Sequence, residues 1–125
     1  MSTSAAGYRK HYQDISGSLA VTASTDDTTL VAAKTNHTIF VQRIIFYVTT
    51  DAAASMSFED SNGTPLQGAN IPASPGDDTR WDFDFGDRGF PLTEEKGFVM
   101  NVSATGLAGN LVWEGYSKRT KVAAA

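Results

Sequence analysis

Hydrophobic and polar positions alternate in short runs along this chain, and the pattern is densest in residues 38–50, TIFVQRIIFYVTT. The run is rich in β-branched and aromatic residues and has no Gly or Pro, which predicts one long strand. Side chains alternate between the faces of a strand, so Phe40, Gln42, Ile44, Phe46 and Val48 are expected on one side. Ile39, Val41, Arg43, Ile45 and Tyr47 are expected on the other. The first set is a core stripe. The second, apart from Arg43, is too apolar for open water and must be covered as well, by a loop of the chain or by a neighbouring copy. Ile39, Val41, Ile45 and Tyr47 are therefore the candidate subunit interface.

Shorter strands flank this one. Residues 18–24 (SLAVTAS) and 28–33 (TTLVAA) precede it, separated by an Asp26-Asp27 turn. After it, residues 55–60 alternate Met56 and Phe58 with Ser57 and Glu59, and Ser61-Asn62-Gly63-Thr64 is a hairpin-type turn. Residues 66–71 form a weak strand, interrupted by Gly68 and closed by Pro72 and Pro75. Residues 79–85 (TRWDFDF) set Trp81, Phe83 and Phe85 against Arg80, Asp82 and Asp84. Residues 98–104 place Phe98, Met100 and Val102 on one face. Residues 111–117 form the last strand, partly apolar on both faces through Leu111/Trp113 and Val112/Tyr116. About eight strands and no helical pattern predict an all-β fold: a single jelly-roll-like antiparallel β-sandwich. Its expected core includes Phe46, Phe58, Trp81, Phe83, Phe98 and Met100.

Residues 1–17 are polar and without periodicity, and are expected to form an extended arm. Residues 18–117 would form the sandwich, and residues 118–125 a basic tail. The 125 residues and 41% hydrophobic content suit one modest core. The chain has no cysteine, which excludes disulfides and thiolate metal sites. No apolar run reaches membrane-spanning length and the N-terminus lacks a signal-peptide core, so a soluble protein made without export is expected. The net charge of −4 is uneven. Five basic residues face thirteen acids in residues 18–117, whereas both ends are basic. Sparse positive charge split between the termini is not a nucleic-acid-binding profile. It suits assembly, with basic ends reaching acidic neighbours.

Candidate chemistry changes this picture little. Asp82, Asp84 and Asp87 suggest a cation site, but Phe85 stands where a calcium loop needs a ligand and the distal Glu is missing. His11 and His37 have no serine in a nucleophile-elbow setting and too few companions for zinc. Trp81, Trp113 and Tyr116 could stack on a sugar, yet Trp113 and Tyr116 fall on opposite faces of one strand. No catalytic residue, metal site or cofactor is expected.

The stretches RIIFYVTTDAAASMSFEDSNGTPLQGANIP and DFGDRGFPLTEEKGFVMNVSATGLAGNLVWEGY carry a recognisable cadence. It comprises F-x-D-x-x-G-T-x-L (Phe58, Asp60, Gly63, Thr64, Leu66), G-F-P-L-T at 89–93, K-G-F at 96–98, and N-V-S-A-x-G at 101–106. Over about residues 40–117 this resembles the small β-sandwich virion proteins of tailed bacteriophages. The resemblance implies a structural, non-enzymatic protein on the outer surface of the capsid, of the decoration or cement type. It would be made in the host cytoplasm, often as a trimer, and bound to the major capsid protein. Tyr8, Arg9, Lys10, Tyr12, Lys118 and Arg119 are the candidate capsid-docking residues of the arms. Neither nucleic acid nor membrane is an expected partner. Related domains also resemble parts of tail fibres and spikes, so a module binding a host glycan or receptor is the alternative.

Overall fold

The computed structural model describes residues 12–22 and 27–120. They form β1 (Tyr12–Val21), β2 (Thr28–Val31), β3 (His37–Thr50), β4 (Met56–Asp60), β5 (Arg80–Asp84), β6 (Phe90–Pro91), β7 (Phe98–Val102) and β8 (Ala108–Arg119). These make two antiparallel sheets: five strands in the order β1-β8-β3-β5, with β6 also on β3, and three in the order β2-β7-β4. The described chain is all-β, as the alternating pattern predicts, and its two sheets are consistent with a β-sandwich. The core lies between them, with Ile44, Phe46, Leu111, Phe58, Phe98 and Met100 fully buried.

The phase of β3 departs from strict alternation. Ile39 and Val41 are buried in the first half of the strand, and Ile44, Phe46 and Val48 in the second. Val41 pairs with Gly115 and Arg43 with Glu114, so Gln42 is the extra residue of a β-bulge that exchanges the two faces. The expectation that Ile39 and Val41 join an outer interface is thereby corrected, because both belong to the core. A second bulge separates Val48, opposite Gly109, from Thr50, opposite Ala108. The two glycines of β8 answer the two bulges. A Cβ at Gly115 would strike the Phe40 carbonyl, and one at Gly109 the Tyr47 carbonyl.

β1 begins at Tyr12, inside the stretch expected to be an arm, and pairs with β8 along its length. β8 likewise continues through Lys118 and Arg119. Trp81 and Phe83 are half-buried rather than deep in the core. They occupy the edge strand of a five-stranded sheet, which three opposing strands cover only in part. The weak strand expected at 66–71 is an irregular segment bridged to β4 at Met56–Ile71 and Glu59–Pro65, with Leu66, Ala69 and Ile71 buried.

Asp60 closes this end of the core at 2% exposure. Its Oδ1 accepts from the amides of Asn62 (2.9 Å) and Thr64 (3.0 Å), and its Oδ2 from the amide of Thr93 (3.1 Å). Burial pushes this carboxyl up. The Thr93 hydroxyl and the three amides outweigh it and hold the group below its ordinary value. One carboxylate thus fixes both the turn after β4 and the loop after β6.

Candidate interaction surface

The five-stranded sheet packs one face on the core and turns the other outward. Register places its outward residues in rows that cross β8, β3 and β5. Asn110, Tyr47 and Arg80 form one row, Val112, Ile45 and Asp82 the next, and Glu114, Arg43 and Asp84 the third. A fourth row pairs Tyr116 with Phe40, whose rings stack at 4.8 Å and 11°. The middle of this face is apolar. Val112 is 45% exposed and Tyr47 39%, and Ile45 lies half-buried between them.

Charge borders that centre on the β3 and β5 side, while Ser16, Ser18 and Ala20 of β1 border it beyond β8. Arg43 donates to both Asp82 oxygens, Nε to Oδ1 at 3.0 Å and Nη2 to Oδ2 at 2.5 Å. This forked pair spans from β3 to β5, and Arg80 adds a contact to Asp82 Oδ2 at 3.4 Å. The hydrogen bonds from Arg43 hold the Asp82 carboxyl below its ordinary value, and those same bonds raise the Arg43 guanidinium. The Tyr47 hydroxyl donates to Asp78 Oδ1 at 3.1 Å, which raises the phenol and fixes the ring over the sheet. The Tyr116 hydroxyl is tied to the Arg88 carbonyl at 2.7 Å. Each polar tip bonds at the rim, which leaves the hydrocarbon parts to face outward.

Of the predicted interface, Ile45 and Tyr47 come together here, while Ile39 and Val41 do not. Val112, the apolar member of the second face expected for the last strand, joins Ile45 and Tyr47. Tyr12, Lys118 and Arg119, expected in arms, lie in paired strands: Lys118 is exposed on the outer side of β8 and Arg119 is half-buried on the inner side. Tyr8, Arg9 and Lys10 lie outside the described residues. Trp81 and Trp113 are on the inner side of the sheet, and Tyr116 is on the outer side against Phe40, so the three form no common platform. Asp82 is engaged by Arg43, and Asp84 Oδ1 accepts from the Gly86 amide at 2.8 Å. Among the described residues no three His, Asp or Glu side chains group closely enough to hold a metal ion.

Protein-protein contacts commonly set aromatic and apolar residues at the centre and polar ones at the rim, and this sheet face places Val112, Ile45 and Tyr47 beside the charges of Arg43 and Asp82. No protein-family model matches the chain, and no curated protein matches it.

Proposed function

We propose that this chain is a non-enzymatic structural protein of a tailed-phage virion, a capsid decoration protein that binds the outside of the major capsid shell and stabilises it. The observation that carries this reading is the outer face of the five-stranded sheet, where Val112, Ile45 and Tyr47 form an exposed apolar group beside the paired charges of Arg43, Asp82 and Asp78. A protein that reinforces a shell needs repeated moderate contacts rather than a deep pocket, because multivalency multiplies their effect. In this reading two or three copies associate through the face into a homo-oligomer, a trimer being favoured. The basic ends then reach carboxylates of the capsid protein.

The strand wiring supports a jelly roll, an architecture common in viral shells. In that fold the first strand neighbours the last in one sheet, and the second neighbours the second-last in the other. Here β1 pairs with β8, and β2 pairs with β7. The segment 65–71, bridged to β4, takes the place of a further strand of the smaller sheet.

The test is the stoichiometry and position of the protein in purified virions, by quantitative mass spectrometry and immunogold labelling. Many copies spread over the shell are expected. A few copies confined to the tail would replace this reading with the fibre or spike module, and absence from the particle would overturn both.

A further inference from the structure

The edges of the two sheets are protected unequally. β5 is five residues long and carries Arg80, Asp82 and Asp84, and β6 is two residues long. β2 has four residues and a register shift, and β4 is bridged to the segment 65–71. Short length, charge, bulges and cover are the usual guards of a sheet edge. β1 has none of them from Ile15 to Val21. That run, ISGSLAV, holds no charge and no proline, and β1 pairs with β8 over ten residues without a register shift.

The ladder fixes which backbone groups of β1 are open. The Val48 amide donates to the Thr79 carbonyl and the Asp78 amide to the Val48 carbonyl, both at 2.8 Å, so Val48 addresses the β5 side of β3. In an antiparallel sheet successive residues turn their amide and carbonyl to opposite sides. Tyr47, Ile45 and Arg43 therefore address β8, where Asn110, Val112 and Glu114 answer them. That leaves Leu111 and Trp113 to address β1, opposite Leu19 and Gly17. By the same alternation the amides and carbonyls of Ser16, Ser18 and Ala20 point away from the sheet. Among the described residues no backbone hydrogen bond meets them from beyond that edge. Their side chains are small and exposed. On the inner side Ile15 and Leu19 are half-buried, with Gly17 between them under the Trp113 indole.

We propose that the free edge of β1 pairs with β1 of a second copy, antiparallel about a twofold axis at Gly17. In that register Ser16 exchanges backbone hydrogen bonds with the partner's Ser18. Ile15 meets the partner's Leu19, which covers the two apolar side chains that a single copy leaves half-exposed. Gly17 meets the partner's Gly17, leaving room for both indoles. Asp14 stands opposite the partner's Ala20, so the two carboxylates stay apart. The strand is thus its own complement, and the pair closes at two copies. Moving the axis to Ser18 would set Leu19 against Gly17 and Ile15 against Val21, which is already buried. The contact is small, so it holds free copies only briefly and gains strength where the outer face already gathers them.

The chain has no cysteine, so disulfide trapping reads this contact directly. Full-length Ser16→Cys and Ser18→Cys proteins are oxidised at high concentration, each alone and as an equimolar mixture. Opposed residues of such a pair have Cα atoms about 5.5 Å apart, within disulfide reach. The mixed dimer is expected to form about tenfold faster than either variant forms a dimer with itself, because pairing raises the effective concentration only of opposed positions. Thr29→Cys, on the smaller sheet, should show no such gain. Adding Ile45→Glu to both proteins should slow trapping by removing the outer-face contact and keep the same preference, so the edge and the face fail separately. The proposal is overturned by a mixture no faster than Ser18→Cys alone or than Thr29→Cys, or by a preference lost with Ile45→Glu. Slow exchange of the Ser16, Ser18 and Ala20 amides in dilute monomer, read by NMR, would also overturn it, since other residues of the chain would then cover the edge.

Discussion

Each sheet turns one face away from the core, and the two faces solve the same problem differently. On the smaller sheet the outward residues are Thr29, Ser57, Glu59, Val99 and Asn101. Asn101 Nδ2 donates to Glu59 Oε1 across the strands, and Val99 sits half-buried between Thr29 and Glu59. That face closes itself with its own polar groups. On the larger sheet the hydrogen bonds run outward from the centre, from Tyr47 to Asp78 and from Arg43 to Asp82, so the apolar middle stays open. Single exposed apolar residues are ordinary on a protein surface, whereas a contiguous group marks a contact site. Both the number of apolar residues and their arrangement separate the two faces, one on the smaller sheet against a contiguous group on the larger.

The sharpest way to break that contrast is to change which residues face out. Deleting Ile45 shifts Phe46 and Val48 out of phase with the core. Buried large side chains cost about 2–5 kcal/mol each when lost, against a total of about 5–15 kcal/mol for a domain. The variant is expected to be unfolded by circular dichroism. Deleting Gln42 removes the bulge and leaves Val41, Ile44, Phe46 and Val48 in phase. It should fold and lose about 1–3 kcal/mol, the scale of two hydrogen bonds, the Phe85 amide to the Gln42 carbonyl at 2.8 Å and Gln42 Nε2 to the Asp87 carbonyl at 2.6 Å. Equal damage from the two deletions in a denaturation series would refute the bulge.

A smaller effect is expected at the end of the smaller sheet. Asp60→Asn keeps one acceptor and places an amide donor against backbone N–H groups, at a cost of about 2–4 kcal/mol at neutral pH. The Asp60 carboxyl is held below its ordinary value in the folded protein. Its contribution is therefore complete above the ordinary carboxylate range and is lost as pH falls through the lowered folded value. Wild type and Asp60→Asn should thus converge in stability in strong acid, as read by urea unfolding at stepped pH. A constant gap would mean that Asp60 is not ionised in the fold.

Class and most strand positions are legible in the sequence because a half-buried strand must alternate. The phase of residues 38–50 is not, since strict alternation groups Ile39 and Val41 with Ile45 and Tyr47, whereas one extra residue at Gln42 exchanges the faces. The clue lies elsewhere in the chain. Gly109 and Gly115 interrupt the last strand, and glycine inside a strand marks a bulge or a close backbone approach. Residues 12–17 carry no strand pattern of their own. They become strand by pairing with β8, and Gly17 leaves room for the Trp113 indole that lies over it. Ile45 and Tyr47 could be read as outward from their spacing. The bonds that hold their rim, to Asp78 and Asp82, join residues more than thirty positions apart, and no local pattern announces them.

Sedimentation equilibrium over a concentration series tests the proposed association through the open face of the larger sheet. Wild type is compared with Val112→Glu on that face and Thr29→Lys on the self-closed one. Both substitutions are exposed and should change stability by no more than about 0.5 kcal/mol. Wild type and Thr29→Lys should assemble alike, and Val112→Glu, which places a carboxylate between Glu114 and Asn110, should stay monomeric. A wild-type protein that remains a monomer throughout, or a Val112→Glu variant that assembles as wild type does, would contradict the account.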